Sequence, residues 1–152
     1  MLTYRLVPTQ YAHDLSGTGS AKEPGRWNIE GLPCLYTSEN HALAVCECLL
    51  GSSSNKADDL MMVTYHVPDD FPILHLEANQ LPDNWHTNPP PNTCRELGAQ
   101  HLSCTDYIAF RVPSSIVPDE YNYVLNPTFP HYDQIEIKQV RCFDSSQVQL
   151  QA

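Results

Sequence analysis

Basic residues are scarce in this chain: eight Lys and Arg stand against eighteen Asp and Glu, for a net charge of -10. They are dispersed rather than clustered. Binding an extended polyanion depends on grouped cations that release counterions, so direct nucleic-acid recognition is a poor fit. A small anion needs only one or two local cations, and the acidic surface favours a basic protein partner.

Long apolar runs are missing too. None approaches the roughly 20 residues that span a bilayer, which argues against a membrane protein. The opening MLTYRLVPTQYAHDL has no basic segment followed by an apolar one, so it does not read as a secretory signal, and a cytoplasmic location is expected. Six cysteines are scattered through a chain able to build its own core, which points to reduced thiols. Cys46 and Cys48 diverge by about 200 degrees on a helix and do not share a metal readily. The seven histidines form no HExxH pattern and there is no CxxC, so no metal site is expected. Gly17 and Gly19 do not make a GxGxxG fingerprint after a strand, and no Walker lysine follows, so neither a Rossmann nor a P-loop site is supported.

What the chain does have fits one compact α+β domain over residues 1–152, with 41% hydrophobic residues and no visible repeat. Apolar and β-branched runs at 3–7, 35–37, 60–67, 73–76, 107–112 and 135–143 predict short strands with flanking helices. Residues 39–50 predict the best helix: Thr37 or Ser38 suits the cap, Glu39 the positive end and Gly51 the stop. On it Leu43, Glu47 and Leu50 share a face, leaving Glu47 in an apolar stripe. LPDNWHTNPPPNTC at 81–94 reads as a surface loop, and the Gly/Ser/Thr-rich stretch at 14–28 as a loop whose amides approach phosphate oxygens.

Four residues carry the chemistry: Arg26 in GRWN, Tyr36 and Glu47 in LYTSENHALAVCECLL, and Ser114 in the VPSS turn. A guanidinium fork grips phosphate, an aromatic face stacks a flat ring, a carboxylate stabilises a ribosyl cation, and the Ser114 hydroxyl is expected to reach the nicotinamide or ribose pocket. Each has a plainer role as well: an ion pair for Arg26, strand packing for Tyr36, a solvated helix edge for Glu47 and turn capping for Ser114. Together they suit cleavage of the nicotinamide–ribose bond of NAD, whose leaving group departs neutral and asks mainly for positioning and preorganised charge.

Read in order, TYRLV, DLSGTG, GRWN with Gly31, LYTSENHALAVCECL, LPDNW, VPSS and EYNYVLNP resemble the RES domain, the toxin half of a bacterial toxin–antitoxin pair. The resemblance spans nearly the whole chain. It implies a fold similar to mono-ADP-ribosyltransferases, NAD consumed as substrate with no further cofactor, and Arg26, Tyr36, Glu47 and Ser114 as the functional residues. It also implies a cognate helix-turn-helix antitoxin that covers the active site and carries any DNA binding, with self-association inside the complex. Asn122 and Asn126 fall in a further motif of the pattern and are assigned to loop architecture. Pro24 stands where a glycine is usual, His101 where a tryptophan is expected, and Phe129 where a histidine is common. ADP-ribosylation of a specific protein is the rival activity. A ribonuclease is disfavoured because His41 and Glu47 point about 120 degrees apart on one helix. A binding module without catalysis is the remaining alternative.

Overall fold

The structure, a computed structural model, describes residues 1–51 and 59–144. One seven-stranded sheet runs in the order β4-β5-β6-β2-β1-β3-β7. Its strands are β1 (Leu2–Pro8), β2 (Leu35–Ser38), β3 (Leu60–His66), β4 (Ile73–His75), β5 (Ala109–Pro113), β6 (Tyr121–Leu125) and β7 (Glu136–Phe143). Every pairing is antiparallel except β4 with β5. The helices are α1 (Thr18–Lys22), α2 (His41–Gly51) and α3 (Asn92–Leu102). Among the described residues no helix is long and apolar enough to cross a membrane.

Strand alternation gives the sheet two unlike faces. On one lie Val7, Leu35, Val63, Tyr65, Ala109 and Leu125, in a single apolar cluster. The other carries two clusters. Leu6, Leu60 and Met62 pack with Ala44 and Cys48 of α2, while Phe110, Val112 and Val124 pack with Cys94 and Leu102 of α3. Between these clusters the same face turns polar, because Ser38 aligns with Asn122 in the β2–β6 ladder, next to the Tyr36–Val124 pair at the edge of the second cluster.

At this polar stretch the sheet opens. β1 pairs with β3 at seven positions but with β2 only at Tyr4 and Ser38. The chain thus keeps a full ladder on one side of β1 and a gap on the other.

All six expected strands form, with ends shifted by one or two residues. β6 was read only as a motif, since YNYVL alternates weakly between polar and apolar positions. Helix α3 was hidden by the prolines before it: the expected surface loop becomes helical from Asn92, and Cys94 is fully buried. Asn40, rather than Thr37 or Ser38, caps α2, its Oδ1 accepting from the Leu43 amide at 2.8 Å. Thr37 and Ser38 remain in β2 and donate to Tyr123 O and Asn122 Oδ1. Glu39 accepts from the Tyr121 amide at 2.8 Å and ties the start of α2 to β6. Gly51 lies inside the helix.

Candidate functional site

Two short loops and one helix face complete the polar gap. The first loop is GRWN. Its position is fixed by Tyr36, whose hydroxyl donates to Asn28 Oδ1 at 2.7 Å and accepts from the Trp27 amide at 3.0 Å. Asn28 in turn accepts from the Gly25 amide and donates to Ser20 O and Leu32 O. The Tyr36 hydroxyl is therefore spent on holding this loop, and burial drives its pKa well above the ordinary phenol value. What Tyr36 offers a ligand is its ring.

Glycine is required at two contacts here. A Cβ at Gly25 would lie 2.8 Å from the Tyr36 ring, and one at Gly98 of α3 would lie 1.8 Å from Trp27 O. Helix α3 thus presses directly on the backbone that carries Arg26.

Arg26 clamps the second loop, donating from Nη1 to Trp85 O at 2.6 Å and to Thr87 O at 2.7 Å. Among the described residues its Nε and Nη2 have no hydrogen-bond partner, so the planar edge that suits a phosphate stays open. Burial lowers the Arg26 pKa, and the charges of Cys94, Glu47 and Tyr36 oppose that shift.

Glu47 projects from α2 toward β5 and β6. Its Oε1 accepts from Ser114 Oγ at 2.7 Å and from Asn122 Nδ2 at 2.6 Å. Among the described residues Oε2 has no such partner. Ser114 is 0% exposed and its Oγ also accepts from the Ile116 and Val117 amides at 3.0 Å each. Those amides fill the acceptor side of the hydroxyl, which leaves its proton for Glu47. One hydroxyl thus performs both the turn capping and the carboxylate anchoring. Leu50 departs from the expected apolar stripe, being 56% exposed at the rim rather than in the core.

Arg26, Tyr36 and Glu47 line one recess of about 780 Å³, together with Tyr4, Arg5 and Arg95. Ser114 lies beneath it, and Ser115 reaches its wall instead. Three of the eight basic residues therefore converge on one opening in an acidic protein. A smaller recess of about 500 Å³ adjoins it across Arg5, lined by Gly17, Gly19 and Lys22 of the glycine-rich stretch. Sequence reasoning missed Arg5, Arg95 and Asn122. Arg5 stood in the quoted TYRLV motif, and Asn122 is a strand residue facing Glu47 rather than loop architecture. Asn126 does order a loop, donating to Cys104 O and Tyr107 O. A recess with an open guanidinium edge, an aromatic ring and a carboxylate oxygen suits a ligand with an anionic group and an electron-poor centre.

Comparison with known proteins agrees with this architecture. A solved structure of the M. tuberculosis MbcT–MbcA toxin–antitoxin complex contains a chain that superimposes with a TM-score of 0.72, covering 95% of this chain and 85% of that one. At 20% identity it shows the fold. "Toxin Res" of Photorhabdus laumondii is 35% identical over 130 residues, covering 84% of this chain and 82% of the relative. "Prs ADP-ribosylating toxin" of a Sphingobium species is 32% identical over 137 residues, covering 88% and 84%. The RES domain model matches residues 2–146, and with that span and these relatives the chain belongs to the RES domain family.

Proposed function

We propose that the protein is the toxin of a toxin–antitoxin pair and cleaves the nicotinamide–ribose bond of NAD, passing the ADP-ribosyl group to water or phosphate and so depleting the cofactor. The observation that carries this reading is the Glu47 carboxylate, held through one oxygen, in the same recess as the open edge of Arg26 and the ring of Tyr36. Arg26 would take the pyrophosphate in a bidentate grip, with Arg5 and Arg95 adding positive charge. Tyr36 would pack against the nicotinamide. Glu47 Oε2 would face the ribose, accept from a hydroxyl and stabilise oxocarbenium character as the neutral ring departs. NAD is substrate here, and the chemistry asks for no further cofactor.

The family supplies the biological setting. Relatives carry the name toxin, and the fold match is to a chain from a toxin–antitoxin complex. A cognate helix-turn-helix antitoxin covering the recess is the partner this reading calls for. A second reading, transfer of ADP-ribose to a specific protein, draws support from the relative named as an ADP-ribosylating toxin. The two differ only in the acceptor that captures the ribosyl cation. Incubation with NAD labelled in the ADP-ribose half, with and without phosphate and with a host lysate, separates them. Label in free ADP-ribose or its phosphate ester supports depletion; label confined to one lysate protein supports transfer and defeats depletion.

A further inference from the structure

Glu47 is held by more than the serine beneath it. Asn122 Nδ2 makes the shorter of the two contacts to Oε1, at 2.6 Å against 2.7 Å for Ser114. An ionised carboxylate only accepts, so the amide must turn its NH₂ to Glu47 and its oxygen away. That oxygen meets the Ser38 hydroxyl at 2.7 Å. Ser38 and Asn122 are direct partners in the β2–β6 ladder, and Ser38 is buried. The result is a directed chain of donors, Ser38 to Asn122 to Glu47, running across two strands onto a helix. We propose that Asn122 is a positioning residue: set by Ser38, it and Ser114 commit Oε1 of Glu47 and thereby present Oε2 to the reacting ribose.

Three features favour this over plain strand packing. Both donors fall on one carboxylate oxygen, which fixes rotation of the group rather than merely neutralising it. Asn122 and Glu47 both line the recess, so the contact lies at the working end of Glu47. The network contains no cation, since Asn122, Ser38 and Ser114 are all neutral, and the negative charge stays available to a cationic transition state.

The inference rests on the NAD reading above, and its test keeps the two apart. Nicotinamide release is measured from pH 5 to 9 for wild type, Asn122→Ala, Asn122→Asp and Ser38→Ala, with thermal unfolding of each. Tyr4, Arg5, Glu23, Arg26, Tyr36, Cys48, His86 and Arg95 line the same recess, and Glu39 and Glu120 lie at the adjoining strand end. Wild type carries all of them, so its own profile is the reference. Asn122→Ala should lower kcat about 10- to 100-fold with KM changed by less than about threefold. Asn122→Asp places two carboxylates in contact at high pH, but one shared proton restores a donor at low pH. Its deficit against wild type should therefore shrink at least about tenfold between pH 8 and pH 5. Ser38→Ala frees the amide to rotate and should lower kcat about three- to tenfold. Nicotinamide release by wild type combined with a pH-independent Asn122→Asp deficit, or with wild-type kcat in Asn122→Ala or Ser38→Ala, would overturn the role of Asn122 alone. No release by folded wild type would overturn the reading of the site as well. Should Asn122→Asp fail to fold, Ser38→Ala decides.

Discussion

The two faces of the sheet divide the work of the molecule. One carries a continuous apolar cluster that includes Leu35, Val63, Tyr65 and Leu125, with Thr3 and Thr37 buried beside it. The other breaks its apolar cover between α2 and α3, and fills the break with Tyr36, Ser38, Asn122 and the Glu47 that faces them. Both are built from the same strands, often from adjacent residues: Leu35 points to the core and Tyr36 to the recess. The difference teaches that on β2 and β6 folding and function are assigned by residue parity. Substitutions on the continuous face should move stability and leave chemistry alone, whereas those on the interrupted face should do the reverse.

The largest expected effect lies on the interrupted face. Glu47→Gln keeps the shape and a hydrogen-bonding oxygen while deleting the charge, and should lower NAD turnover about a thousandfold, equivalent to about 4 kcal/mol of barrier. Its midpoint of thermal unfolding should stay within about 3 °C of wild type. Next comes Leu125→Ala on the continuous face, expected to cost about 3 kcal/mol of stability by chemical denaturation. The kcat of the folded fraction should match wild type. A turnover loss in Leu125→Ala larger than its unfolded fraction would break the division.

Ser114→Ala should blur the division, because the hydroxyl serves both sides of it. Loss of the contact to Glu47 should reduce kcat about 10- to 100-fold, and leaving the Ile116 and Val117 amides without an acceptor should cost about 1–2 kcal/mol of stability. Ser115→Ala, at the recess wall, should keep full stability. The smallest effect is expected at His101 on α3, where the buried Nε2 has no partner among the described residues and burial lowers the pKa below the ordinary value of 6.5. The unfolded chain binds a proton that the folded protein resists, so this residue costs stability as pH falls below about 6.5. His101→Phe should raise stability by about 1 kcal/mol and flatten the decline of the melting temperature on the acid side of that pH.

How much of this was legible beforehand follows from the same two faces. The continuous face is written in runs of β-branched and apolar residues, and all six strands read from such runs are present. β6 escaped because its outer half, Tyr121 to Tyr123, is only partly buried and its asparagine faces a carboxylate rather than a core. Arg26, Tyr36 and Glu47 were legible through their flanking motifs and do share a recess. Their division of labour was not. No spacing rule announces that the Tyr36 hydroxyl is used up by Asn28 and Trp27, that Arg26 holds a loop with one nitrogen, or that Ser114 lies under the recess. Those facts depend on contacts between residues distant in sequence, such as Gly98 against Trp27.

The most direct measurement is time-resolved appearance of free nicotinamide when purified protein meets NAD, run beside Glu47→Gln with matched circular dichroism. Multiple turnovers by wild type, reduced about a thousandfold in the variant, are the predicted result. Intact NAD after incubation with folded wild type, or equal release by Glu47→Gln, would contradict it.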